Sequence, residues 1–133
     1  AGGDDGVGEQ LKNQIEKLNL SSSVFLIGVV NFENKKMLLN NCDYFVLASE
    51  FESFGIVIAE ALSCGKPVVV SNKTPWKDIQ INNCGILADN EKNSFNDAFS
   101  KIINEKYDSS LIKNYVKKNY DWAVIVDKFI NLF

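Results

Sequence analysis

The runs Phe45-Val-Leu-Ala48 and Val68-Val-Val70 are apolar without interruption. Successive strand residues point to opposite faces. A strand wetted on one side therefore alternates, and an unbroken apolar run asks for cover on both sides. With two further short runs, the candidate strands are residues 24–28, 44–48, 67–71 and 85–88. Helical patterns lie between them. Residues 9–18 set Leu11, Ile15 and Leu18 on one stripe, residues 34–41 form a short helix, and residues 54–64 are apolar nearly all round. That last helix has Gly65 just past its end and Pro67 beyond, the usual stop signal. After Asp89 the pattern is wholly helical. Phe95, Phe99, Ile102 and Ile103 make one stripe, and helices at 110–120 and 122–133 follow. Strand–helix alternation implies right-handed crossovers and a parallel sheet with helices on both faces. Ligands of such α/β sheets bind beyond the carboxyl ends of the strands, which directs attention to the loops after Gly28, Ala48 and Ser71.

The composition excludes several chemistries. There is no His among 133 residues, which removes imidazole catalysis and most zinc sites. All 14 cations are Lys, they are scattered, and the net charge is −3, so nucleic acid is not an expected partner. Cys42, Cys64 and Cys84 match no metal-ligand spacing and read as small buried hydrophobes. Their odd number, with no spanning run and no signal peptide, fits a reducing, cytoplasmic compartment. The chain has no initiator Met, and residues 1–6 read like the loop after a strand.

One residue contradicts its surroundings. Glu60 is the only charge in the apolar helix 54–64, near the end that faces the ligand crevice. An isolated buried carboxylate is costly, so something must satisfy it. Two adjacent hydroxyls, such as those of a ribose, would do so, and so would a lysine or solvent. The turn before the helix, Ser49-Glu-Phe-Glu-Ser-Phe-Gly55, crowds two carboxylates and two hydroxyls at a strand's carboxyl end. Gly55 lets backbone approach a ligand, and the N–H groups of Phe54, Gly55 and Ile56 face outward as an anion or hydroxyl site. The same residues also suit helix capping by Ser53, with Glu50 and Glu52 favoured by the helix dipole.

Glu52-Ser-Phe-Gly-Ile-Val-Ile-Ala-Glu60 resembles the motif of two glutamates separated by seven residues in retaining GT-B glycosyltransferases, most like glycosyltransferase family 4. The flanks 41–49 and 61–70, the run 24–28, Gly85-Ile-Leu-Ala-Asp89 and Tyr120-Asp-Trp122 resemble the same family in order, across residues 2–133. The resemblance implies a Rossmann-like, doubly wound α/β domain with a helical C-terminus, the C-terminal half of a GT-B fold. It implies binding of a nucleotide-diphosphate sugar and retaining transfer of a hexosyl group to a glycan or lipid-linked acceptor. Glu52 would contact the donor sugar as the catalytic-site carboxylate, and Glu60 the ribose. Ser49, Ser53 and the backbone of Phe54, Gly55 and Ile56 would line the sugar and diphosphate, and Val29 and Val30 would touch the base. No cofactor and no metal are implied.

The family's early Arg and Lys for the diphosphate have no counterpart here. Lys66, Lys73 and Lys77 are the nearest cations, with solvated Lys as the default reading. On this resemblance residues 1–133 are a partial C-terminal domain. Its partner would be an N-terminal acceptor domain that also supplies any peripheral contact with the inner face of the membrane, and the fragment alone would be inactive. Thr74-Pro-Trp76 resembles a loop near the donor pocket, with Trp76 expected to pack rather than stack on ligand. The alternatives are a non-catalytic nucleotide-sugar-binding subunit and an unrelated doubly wound domain. Gly3-Asp-Asp-Gly-Val-Gly8 lacks the dinucleotide-fingerprint spacing, and Asp4 with Asp5 do not make a phosphate receiver.

Overall fold

The computed structural model describes residues 6–131. The expected loop at 1–5 and the last two residues of the expected helix 122–133 lie outside them. The chain divides into two compact units, Ala1–Leu38 and Leu39–Phe133.

The first unit holds α1 (Gly8–Lys17), and α2 (Phe32–Asn41) begins in it. Glu9 in the first turn of α1 and Lys17 in its last both suit the helix dipole. The helix closes where Asn19 adopts φ 55° and Leu18 donates its N–H to the Gln14 carbonyl. α2 starts two residues before the expected 34 because Asn31 Oδ1 accepts the Asn34 N–H at 2.8 Å. The strand expected at 24–28 does not form. Those residues carry no ladder, and Phe25 is 71% exposed. A strand exists only through bonds to a neighbour, and the described residues of this unit offer no second extended segment for it to pair with.

The second unit holds the sheet: β1 (Phe45–Leu47), β2 (Val68–Ser71) and β3 (Gly85–Ala88). All pairing is parallel, in the order β1-β2-β3. Phe45 stands beside Val68, and Val68 beside Gly85. The close approach at Gly85 is obligatory, since a Cβ there would lie 2.1 Å from the Val68 carbonyl oxygen. Every residue of β2 is buried. Val68 and Val70 face α3 (Ile56–Ser63), α5 (Ser109–Tyr120), Trp76 and Ile79. Val69 faces the other way, with Ile86, Ala88 and the Ala98 and Ile102 side chains of α4 (Lys92–Asn104). The expected cover on both faces is therefore met at β2. At β1 it is not, because Val46 stays 43% exposed.

α3 is shorter than the expected 54–64. It cannot begin before Ile56, because Gly55 sits at φ 77°, in the left-handed region. It ends in a Schellman motif, as Gly65 and Pro67 foretold. Gly65 at φ 74° donates to the Leu62 carbonyl (2.8 Å), and Lys66 donates to that of Ala61 (3.1 Å). α4 buries Ala98 and Ile102 with Phe95 beside them, whereas the expected stripe members Phe99 and Ile103 are 45% and 49% exposed. The line 95–98–102 follows the helical period, and 99 and 103 sit one residue, about 100°, off it. α5 is capped by Asp108 and buries Ile112, Tyr115 and Val116. α6 (Trp122–Ile130) closes the described chain. No helix among the described residues is long and apolar enough to cross a membrane.

Candidate functional site

The three parallel strands end on one edge of the sheet, and the loops leaving that edge are bonded to one another. Asn72 donates its N–H to the Ala88 carbonyl at 2.8 Å, which carries the pairing one step past β2. Its Nδ2 donates to Asp89 Oδ1, joining the ends of β2 and β3. Asn90 Nδ2 donates to the Ser49 carbonyl at 3.0 Å, tying the end of β3 to that of β1. These asparagines were not singled out in the sequence. Their positions directly after candidate strands were the available signal.

The loop 49–55 connects β1 to α3. Ser49 Oγ donates to the Phe51 carbonyl at 2.8 Å and folds the loop on itself. Phe51 is left 84% exposed. Glu52 is half-buried, and its Oε1 accepts the Gly55 N–H at 3.1 Å. The sequence offered Ser53 as the cap of the following helix. The structure gives α3 no capping bond from a side chain, and Ser53 is exposed. Glu52 takes the amide of the N-cap residue instead, because the left-handed turn at Gly55 directs that amide back into the loop. One of the three amides expected to face a ligand is therefore engaged internally. Ile58 donates its N–H to the Gly55 carbonyl at 2.8 Å, so in the first turn the N–H groups of Ile56 and Val57 are the ones left without an intrahelical acceptor.

Glu60 lies four residues after Ile56, on the same face and one turn further along α3. Ile56 is 69% exposed. Glu60 is half-buried, with its Oε2 atom buried. The reason is the helix's own asymmetry: Ile58, Ala61 and Leu62 form the core face, and the line from Ile56 to Glu60 is turned away from it. Glu52, the start of α3 and Glu60 thus follow one another at the ligand edge. The chemistry they offer is hydroxyl recognition: two carboxylates as acceptors, and a helix N-terminus that favours anionic groups.

Trp76 is 1% exposed. Its ring forms a three-ring cluster with those of Phe54 (centroids 5.3 Å apart) and Tyr120 (4.6 Å), which also touch each other (5.9 Å), and its Nε1–H donates to the Phe54 carbonyl at 2.5 Å. Tyr120 lies edge-on to Tyr115, whose hydroxyl donates to Asp78 Oδ1 at 2.7 Å. Burial, aided by Tyr120 and Asp78, holds the Tyr115 phenol well above its usual range. Lys66 precedes β2 and so sits at the opposite edge of the sheet. Lys77 is at the ligand edge, where its amine donates to the Asn72 carbonyl, and Lys73 is exposed. Val29 and Val30 belong to the first unit, Val29 exposed and Val30 half-buried. No group of three or more His, Cys, Asp or Glu among the described residues is disposed to hold a metal ion.

A family model described as "Glycosyl transferases group 1" matches residues 1–122. The alpha-1,3/1,6-mannosyltransferase ALG2 of Dictyostelium discoideum is 34% identical over 102 residues, which cover 76% of this chain and 24% of that protein. An uncharacterized glycosyltransferase of Methanocaldococcus jannaschii is 32% identical over 131 residues, covering 93% of this chain and 36% of that one. Among solved structures, Anabaena HepE in complex with UDP is similar with a TM-score of 0.73 and 25% identity, over 93% of this chain and 35% of that one. The chain spans well under half the length of the relatives it matches. Its fold, a Rossmann-like α/β unit with a parallel sheet and a helical C-terminus, is shared with GT-B glycosyltransferases.

Proposed function

This chain belongs to the glycosyl transferases group 1 family, and we propose that it is the donor-binding part of a retaining, family 4 hexosyltransferase that takes a nucleotide-diphosphate sugar. The observation that carries the reading is the sequence of groups at the ligand edge: Glu52 on the Gly55 amide, the start of α3 with Ile56 exposed, then Glu60 one turn on. Glu60 accepts from the two ribose hydroxyls. The amides of Ile56 and Val57, with the helix dipole behind them, receive the diphosphate. Glu52 keeps one oxygen on the Gly55 N–H and offers the other to hydroxyls of the sugar. It orients the sugar rather than attacking it, so the carboxylate-pair geometry of glycosidases is not the relevant rule. The leaving diphosphate helps take the proton of the acceptor hydroxyl, and no resident metal is called for. HepE, a structural neighbour, was solved with UDP, which supports a sugar nucleotide as the ligand class.

The remaining parts of the reading follow the family. Residues 1–133 serve as a C-terminal domain beside an N-terminal acceptor domain. The acceptor is a glycan or a lipid-linked saccharide, and the work is done on the cytoplasmic side of a membrane. Saturation-transfer NMR of the whole protein with UDP, GDP and ADP tests the core of it. One nucleotide should show transfer to its ribose protons. Glu60→Ala should weaken it roughly ten- to a hundredfold, the worth of about 1.5–3 kcal/mol for hydrogen bonds to a charged group. Unchanged binding in the variant would remove Glu60 from the site.

A further inference from the structure

The loop that carries Glu52 is fixed at both ends by side chains from elsewhere in the sheet. Ahead of Glu52, the Ser49 carbonyl accepts from Asn90 Nδ2 at 3.0 Å. Behind it, the Phe54 carbonyl accepts from Trp76 Nε1 at 2.5 Å. Asn90 follows β3 and Trp76 follows β2, so two neighbouring strand ends hold the loop of the third. The indole is a donor only and is itself immobilised, 1% exposed and packed against Tyr120. If Phe54 moved away, that buried N–H would lose its acceptor, a penalty that favours the observed loop. Glu60 is held differently. It stands in the middle of α3, on hydrogen bonds internal to the helix.

We infer that Trp76 and Asn90 are positioning residues that set the Glu52 loop for the sugar of the donor, while recognition of the nucleotide is independent of them. This rests on the donor-site reading above and assigns the discrimination between a nucleotide and its sugar form to two residues outside the glutamate motif. An interaction supplied by a preset loop is made without ordering cost on binding, and loosening the loop withdraws that advantage from the sugar alone.

The test compares wild type, Trp76→Phe and Asn90→Ala in the whole protein. Phenylalanine keeps an aromatic ring against Tyr120 and removes the donor. Affinities are measured for UDP against UDP-glucose and for GDP against GDP-mannose. Each variant should lose about tenfold in preference for the sugar form, with affinity for the bare nucleotide changed less than threefold. A purely structural role would weaken both forms together. Amide hydrogen exchange across residues 49–55, read without ligand, should quicken at least tenfold in both variants, with Val68–Ser71 still protected. Asn90→Ala keeps the test alive if Trp76→Phe does not fold. Unaltered exchange in the loop, or an undiminished sugar preference, overturns the inference. Wild-type protein that binds neither nucleotides nor their sugar forms would instead sink the donor-site reading, with exchange still reporting whether the brace exists.

Discussion

At the scale of single residues, Gly55 does most to shape the ligand edge. Its φ of 77° lies where a Cβ is strained, and an added Cβ would fall 2.7 Å from Ile58 Cδ1 and 3.1 Å from Glu52 Cγ. Gly55→Ala should destabilise the fold by about 1–2 kcal/mol, seen as a lower urea midpoint at unchanged slope. The sequence announced a glycine before an apolar helix but gave another reason for it, access for a ligand. The turn itself needs the glycine, and the turn also decides that Glu52 rather than Ser53 meets the backbone. Both side chains were within reach on paper, and only the direction of the Gly55 amide separates them. Glu60 was legible for a simpler reason. A lone charge in an apolar helix is visible in the sequence, though its half-exposed setting depends on which face of α3 the sheet covers.

At the scale of elements, the core strands were legible to within a residue or two. Apolar runs such as Val68-Val-Val70, bounded by Pro67 and Asn72, carry their own limits. The run at 24–28 looked the same and formed no strand, because a ladder partner is a property of the fold and not of the run. The start of α5 was missed by one residue, since its cap was overlooked. Asp108 Oδ1 accepts the N–H groups of Ser110 (2.8 Å) and Leu111 (3.2 Å). Asp108→Ala should cost about 1 kcal/mol in a urea titration, with Asp108→Asn recovering most of it. The penalty reaches beyond α5 itself. Its first residue, Ser109, packs so tightly on the end of α3 that a Cβ at Gly65 would lie 2.0 Å from Ser109 Oγ.

At the scale of the Leu39–Phe133 unit, buried protons matter. Burial first, and Asp78 second, push the Cys84 thiol up from 9.0 to about 11. Tyr107 and Tyr115 are raised too, chiefly by burial. The folded chain therefore holds these protons when the unfolded chain has released them. The stability that Cys84 contributes is complete below pH 9 and is lost as the pH climbs towards 11, whereas that of the two phenols begins to fall only above pH 10. Melting temperature should fall between pH 9 and 11, and Cys84→Ala should flatten the part below pH 10, where phenols largely keep their protons in either state. Circular dichroism melts across that range check it.

The two bonds that pin the Glu52 loop also fix an order in time. Trp76 lies 22 residues beyond Phe54, and Asn90 lies 41 residues beyond Ser49. A ribosome delivers the glutamate loop first and its two anchors later, and domains made this way settle as whole units. The emerging polypeptide thus carries the Glu52 loop unset until Asn90, just past β3, has been translated, and the loop is finished from its downstream side.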